Sequence, residues 1–324
     1  MNDDKVGRAS VSIKTITVVL LMVAVAVVGG FFAGYIVGQS SPATNTNTGL
    51  TFVDDYDRIV TLKNGFAKRV ISIAPTPTEI LFAIGAGDLV IAVDEYSDYP
   101  PEAASLPKVG NAFSLDTELI ISMKPDLVIC SDLVPSGIEA IENNGIPYMI
   151  VAARTVEDAL HSIELVGYVT NHSAEASALV ASLEARMHAI TNLTLAPNVA
   201  HPKVYLEYDC YESNYYTFGP GSFGNDLIRL AGGTNIGECL LSEYPAVDDE
   251  FVIGANPEII VYCTNPWTSV TNETFKNRSG WGDIEAVKNG NIFPIETNLV
   301  VRYGPRLIDG LEELARIIHP ELFP

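Results

Sequence analysis

Basic residues are scarce in this chain, which sets 19 Lys and Arg against 40 Asp and Glu for a formal net charge of −21 over 324 residues. Phosphate backbones are held by clustered Lys and Arg, so this balance argues against a nucleic-acid partner. The acidity is spread along the chain, and charged residues total only 18%, which reads as a solvated surface more than as an adaptation to salt. Cysteine is sparse as well: Cys130, Cys210, Cys239 and Cys263 show no CxxC spacing. Outside the cell a disulfide is open to them, with Cys210 to Cys239 the candidate pair, and buried free thiols are the alternative. The five histidines, His161, His172, His188, His201 and His319, are scattered and form no metal-ligand grouping. No GxxxxGK[ST], HExxH or GxSxG occurs, so NTPase and hydrolase readings lack their chemistry. GPGSFG, residues 219 to 224, fits GxGxxG but has a Pro inside it and no strand directly before it, which removes the dinucleotide reading.

What the chain does have begins with an apolar run. Residues 15–38, TITVVLLMVAVAVVGGFFAGYIVG, carry no charge, and about 20 such residues suffice to cross a bilayer as a helix. The run is longer than the apolar region of a cleavable signal. We expect an uncleaved anchor, with cleavage as the alternative. Lys5, Arg8 and Lys14 precede it and no Lys or Arg follows until Arg58, which keeps 1–14 in the cytoplasm and puts the rest outside. No Cys lies near the run, so acylation of a signal-end cysteine is not an option. The Ser/Thr/Asn-rich stretch that follows reads as a linker over 39–57. Four Asn-X-Ser/Thr sequons, at Asn171, Asn192, Asn272 and Asn277, fit an outside location.

One phrase is said twice. LDTELIISMKPDLVI, residues 115–129, returns without a gap as VDDEFVIGANPEIIV, residues 247–261. Each copy opens a short helix with an Asp and a Glu two residues later, ends it at a Pro, and leads through an acidic residue into a strand. One αβ unit used twice in a chain of this length implies two similar α/β lobes, each with a parallel sheet, at 58–154 and 196–324. Strands are expected at 70–73, 89–93, 127–130 and 147–151, with Pro75 and Pro77 as breakers and Thr78 capping a helix over 79–84. Between them, 155–195 has helical periodicity and reads as a connector. From Lys203 the alternation resumes and closes with a helix over 307–318.

Open α/β sheets bind ligands at the loops after their strands, and those loops are rich in aromatics: Tyr96, Phe113, Tyr211, Tyr215, Tyr216, Phe218 and Tyr244. Tyr offers a flat face and a hydroxyl to a broad apolar ligand with polar edges. Arg302, in VVRYGPR, is a further cleft candidate, and Arg306 is placed to hold the last helix. Asp116 and Asp248 read as N-caps, with Glu118 and Glu250 in the first turn, where a carboxylate stabilises a helix by about 0.3–1 kcal/mol.

These phrases, together with RVISIAPTPTEILFAIGAGD, DEYSDYPPEA, GPGSFGNDLIRLAGGTNI and YGPRLIDGLEELARIIHPELF, resemble the substrate-binding proteins of cobalamin and ferric-siderophore ABC importers from about Arg58 to the C-terminus. The resemblance implies two Rossmann-like lobes bridged by a single long helix, no enzymatic reaction and no cofactor, and a ligand held in the cleft. DEYSDYPPEA is similar to the cobalamin-binding branch, so the implied ligand is a corrinoid, with a ferric siderophore or haem as the alternative. Tyr96, Tyr216 and Tyr244 match ring-contacting positions, although a Trp is expected near Phe113 and at Tyr244. Glu118 and Glu250 match the carboxylates that dock on the two permease subunits, the partner being a permease dimer with its ATPase subunits. A metallocofactor enzyme on the same fold would need His or Cys ligands converging in the cleft, and a sensor that binds without import would not need the docking pair.

Overall fold

A computed structural model describes residues 49–211, 214–265 and 269–323. The expected anchor at 15–38 lies outside the described residues, among which no helix is long and apolar enough to cross a membrane. The folded chain starts earlier than the sequence implies. β1 (Leu50–Val53) and β2 (Ile59–Leu62) form an antiparallel hairpin, so residues 50–57 are not the linker expected there. Four-residue strands joined by Asp and Tyr carry too short a period-2 signal to stand out from a polar stretch.

β3 (Val70–Ser72) and β4 (Val90–Val93) come next, then a minimal hairpin of β5 (Gly110–Asn111) and β6 (Ser114–Leu115), then β7 (Leu127–Cys130) and β8 (Tyr148–Ile150). The first sheet has the order β4-β3-β7-β8 with every neighbour parallel. The helix after β3 spans Pro75–Ala83 and takes both prolines into its first turn. That corrects their reading as breakers: the N–H groups of a first turn have no intrahelical acceptor, so a missing one costs nothing there. Thr78 is accordingly not the cap. It is buried, and its hydroxyl hydrogen-bonds with those of Ser72 (2.7 Å) and Ser97 (2.8 Å).

Two helices, Val156–Val169 and Ser173–Thr194, connect the sheets. The first opens with a capping box between Thr155 and Asp158, and the second, at 22 residues, is about 33 Å long. The second sheet contains β9 (Lys203–Tyr211), β10 (Asn214–Thr217), β11 (Thr234–Asn235), β12 (Ala246–Val247), β13 (Ile259–Thr264) and β14 (Ile292–Glu296). β9, β13 and β14 run parallel, but β10 and β12 are antiparallel additions at one edge. The sheet is therefore mixed, where an all-parallel one was expected.

The repeat holds at the level of single hydrogen bonds. Asp116 and Asp248 each accept from the backbone N–H three residues on, Leu119 and Phe251, both at 2.9 Å. The helices Thr117–Met123 and Asp249–Ala255 each end on a left-handed residue, Lys124 (φ 49°) and Asn256 (φ 48°). Asp126 then accepts from the N–H groups of Lys68 and Arg69, and Glu258 from that of Lys203, which fastens each repeat strand to its neighbour.

Alternation along the strands sorts the core. Leu127 and Ile129, Val204 and Leu206, and Ile259 and Val261 face one continuous cluster that also takes in the two connecting helices and the closing helix Leu307–Ile318. Val128 and Cys130 face a second cluster, and Tyr205, Ile260 and Tyr262 a third around the fully buried Trp281. No disulfide forms: all four cysteines are free, with Cys130 and Cys263 buried and Cys210 and Cys239 exposed. The proposed Cys210–Cys239 bridge is thus not made, and burial pushes the Cys130 thiol up to about 12.

Candidate functional site

The second half of the chain builds an aromatic platform. Tyr208 lies within β9, its ring centroid 4.9 Å from that of Phe218, 6.3 Å from Tyr216 and 6.4 Å from Tyr244. Such spacings are those of attractive tilted and edge-to-face ring pairs. Glycines allow this packing: a Cβ on Gly224 would collide with the Phe218 ring, and one on Gly219 with the Ser242 carbonyl of the loop that carries Tyr244. Ser222 caps the helix Phe223–Leu230, which explains GPGSF as a packing and capping device. Burial raises the Tyr208 hydroxyl to about 12, and burial together with the charges of Asp132 and Glu243 raises that of Tyr244. Both hydroxyls remain neutral donors at physiological pH.

From this platform a row of contacts reaches the first sheet. Phe218 meets Phe223, whose ring lies 5.4 Å from Tyr303. The Tyr303 hydroxyl donates to Asp132 Oδ1 at 2.8 Å, with the Val151 carbonyl at 3.1 Å. Asp132 follows β7, so strand ends from both sheets converge here. A pocket of about 620 Å3 opens beside it, lined among others by Asp132, Arg154, Glu243, Tyr244 and Tyr56. Arg154 pairs with Glu243 at 3.5 Å, an exposed contact of little energetic weight that joins the two rims.

The loop carrying Tyr96 is held by Asp94, which accepts from the Tyr96 N–H (3.1 Å) and from the Ser97 hydroxyl. Burial raises the carboxyl of Asp94 above its usual value. Tyr96 itself is exposed, as is Phe113 at the tip of the β5–β6 hairpin, where Asn111 Oδ1 accepts from the Phe113 and Ser114 N–H groups. Both present rings to solvent from braced turns.

Arg302 is engaged within the protein. Its guanidinium contacts Glu79 at 3.0 Å, Asp98 at 3.1 Å and the Tyr96 carbonyl at 3.4 Å. Arg306 contacts the same Glu79 through Nε (2.9 Å) and Nη2 (2.7 Å). Glu79 sits on the helix Pro75–Ala83, so two arginines of the second half grip one buried carboxylate of the first. Arg306 thereby does hold the last helix. Arg302, which the sequence marks as a ligand cation, has its charge already met.

The structure takes Tyr215 away from the platform into the core, and leaves Tyr211 exposed at the end of β9. Tyr215 is buried in the third core cluster, its ring 5.6 Å from Trp281 and its hydroxyl donating to Asp249 Oδ1 at 3.0 Å. Its immediate environment is an aromatic box in which Arg278 lies 3.9 Å from the Tyr215 ring and makes two hydrogen bonds to Glu207, at 2.6 and 2.7 Å. The adjacency Tyr215–Tyr216 conceals this, because neighbouring strand residues point to opposite faces. Glu118 and Glu250 are exposed in the first turns of the two repeat helices. Tyr56, Asp132, Tyr208 and Tyr303 are site residues that the sequence reading missed. Tyr303 stands beside Arg302 in the same phrase, and Tyr208 lies in the stretch from Lys203 where the alternation resumes, so both have a signal.

Comparison with known proteins agrees with this geometry. The periplasmic binding protein family matches residues 70–299. An ABC transporter substrate-binding lipoprotein of Bacillus subtilis, YvrC, is 30% identical over 280 residues, covering 85% of this chain and 87% of its own. A vitamin B12-binding protein of Vibrio parahaemolyticus is 28% identical, covering 79% and 90%. Among solved structures, the periplasmic heme-binding protein RhuT from Roseiflexus sp. RS-1 in apo form superposes with a TM-score of 0.71 at 25% identity, covering 79% of this chain and 99% of RhuT. The chain belongs to the periplasmic binding protein family, among the substrate-binding proteins of ABC importers.

Proposed function

We propose that this chain captures a corrinoid in the cleft between its two lobes, outside the cytoplasm, and delivers it to an ABC permease. The observation that carries the reading is the chemistry of the cleft: a platform of Tyr208, Tyr216, Phe218 and Tyr244 beside a pocket in which carboxylates outnumber cations. A corrin is a broad ring with amide edges, and rings with neutral hydroxyl donors suit its face and its amide oxygens. Haem brings propionates that call for free cations. Arg302 is occupied by Glu79 and Asp98, and Arg154 stands in a pocket lined by Asp54, Asp55, Asp57, Asp132, Asp158 and Glu243. Relatives that bind vitamin B12 support the same choice.

Delivery is assigned to Glu118 and Glu250, whose matched positions in the repeat give a two-subunit permease the same carboxylate twice. Exposed charges of this kind set orientation and encounter rate more than affinity. Attachment is assigned to residues 15–38, with 1–14 in the cytoplasm. Within these 324 residues the first cysteine is Cys130, buried in the core, so the lipoprotein route named for the Bacillus relative has no cysteine to use near that segment.

Calorimetric titration of the full chain with cyanocobalamin, cobinamide, haem and a hydroxamate siderophore tests the reading. Corrinoid binding at about −10 to −12 kcal/mol, the nanomolar range, supports it. Binding of haem or the siderophore alone replaces the ligand.

A further inference from the structure

The β1–β2 hairpin precedes the family match, which begins at residue 70, yet its tip forms a wall of the pocket that holds Tyr244 and Asp132. The tip is braced. Asp54 Oδ1 accepts from the N–H groups of Tyr56 (3.1 Å) and Arg58 (2.9 Å), and its Oδ2 from that of Ile150 at the end of β8 (3.0 Å). Asp55 accepts from the Ser162 hydroxyl (2.6 Å) and the Ala152 N–H (3.0 Å). Asp54 is 4% exposed, whereas Tyr56 between these anchors is 51% exposed. A large ring held open to solvent on a rigid base is a preorganised contact surface, since little ordering entropy remains to be lost when a ligand covers it. Its hydroxyl is raised by burial and by the charge of Asp132, which places it in the same electrostatic neighbourhood as Tyr244.

The charges of this pocket are one-sided. Asp54, Asp55, Asp57, Asp132, Asp158 and Glu243 stand against Arg154. Asp54, Asp55 and Asp158 serve the fold through their own hydrogen bonds, while Asp57 is exposed at the tip with a left-handed backbone (φ 57°). A carboxylate on the ligand would meet like charge at this end of the cleft, and an amide N–H would meet acceptors.

We infer that the β1–β2 hairpin is a specificity element of the cleft: Tyr56 covers the ligand face opposite Tyr244, and Asp57 with Asp132 selects ligands whose edge carries amides and not carboxylates. The inference rests on the corrinoid reading and deepens it. It assigns ligand contact to a segment that the family match does not include.

The test titrates the full chain and two variants, Tyr56→Ala and Asp57→Asn, with cyanocobalamin and with a cyanocobalamin monocarboxylic acid in which one side-chain amide is replaced by a carboxylate. Asn tolerates the left-handed conformation, and unchanged thermal unfolding checks that both variants keep the fold. Tyr56→Ala should bind cyanocobalamin about tenfold more weakly, the size of a lost aromatic contact. The unmodified chain should bind the monocarboxylic acid at least about fivefold more weakly than cyanocobalamin, and Asp57→Asn should narrow that ratio. If the chain binds cyanocobalamin and neither variant differs from it, the inference falls while the function stands. If no corrinoid binds at all, the proposed function falls and takes this inference with it.

Discussion

Glu79 is the point at which the two halves of the molecule share one charge. Its side chain is 2% exposed and meets Arg302, at 12%, and Arg306, at 20%. Removing one partner of a buried pair costs about 3–5 kcal/mol, because the other charge is left without compensation. Here Arg302 keeps Asp98 and Arg306 is partly open to water, which lowers the expectation for Glu79→Gln to about 2–4 kcal/mol. The hydrogen bonds that Arg306 donates to Glu79 dominate the upward shift of the arginine, in keeping with a pair that is tight in the folded state. Equilibrium urea unfolding of the full chain measures the loss, and Arg316→Ala supplies the control: its contact with Glu312 is exposed, at 51% and 35%, so its removal should cost below about 1 kcal/mol. The loss at Glu79 should also persist in 0.5 M salt, since buried pairs are weakly screened. A Glu79→Gln variant no less stable than the control would refute the reasoning and reduce the clamp to a contact of position only.

Three further outcomes are expected. Glu118→Arg with Glu250→Arg should leave ligand affinity intact and abolish uptake through a cognate permease, at a helix-dipole cost below about 1 kcal/mol each. Asp116→Ala and Asp248→Ala should each cost about 1 kcal/mol of stability with uptake retained, and uptake that survives both charge reversals would remove the docking assignment. At alkaline pH, Tyr208 and Tyr215 hold folded values of about 12 against an ordinary 10.0. Groups raised in this way contribute stability that is fully present below pH 10 and is lost as pH climbs from 10 towards 12. Absorbance at 295 nm should show a delayed tyrosine class that Tyr208→Phe diminishes; a native titration complete near pH 10 contradicts the burial described for these rings.

The parts of this structure that the sequence discloses are those written in local grammar. An Asp cap, a helix of seven residues, a left-handed stop and a Pro recur at 116–125 and 248–257, so the duplicated unit could be seen before any contact was known. β7 and the closing helix fall on the residues that periodicity marks. What stayed hidden depends on partners far along the chain. Tyr215 and Tyr216 are equivalent by composition, and only the packing of Trp281 and Arg278 assigns the former to the core. Arg302 reads as a free cation until Glu79, some 220 residues earlier, is found beneath it. The hairpin at 50–62 has no signal that stands out from its polar context, and the prolines at 75 and 77 read as breakers because nothing local tells a first turn from a loop.

The core cluster that passes beneath both sheets without interruption has a bearing on how fast the protein works. A receptor whose halves share their packing cannot swing far apart without exposing apolar surface to water, which costs about 25 cal/mol for every Å2 uncovered. Its capture step should then resemble a collision with a standing surface: association limited by diffusion and orientation, no slow closing phase after mixing, and selectivity expressed almost wholly in how long the cargo stays.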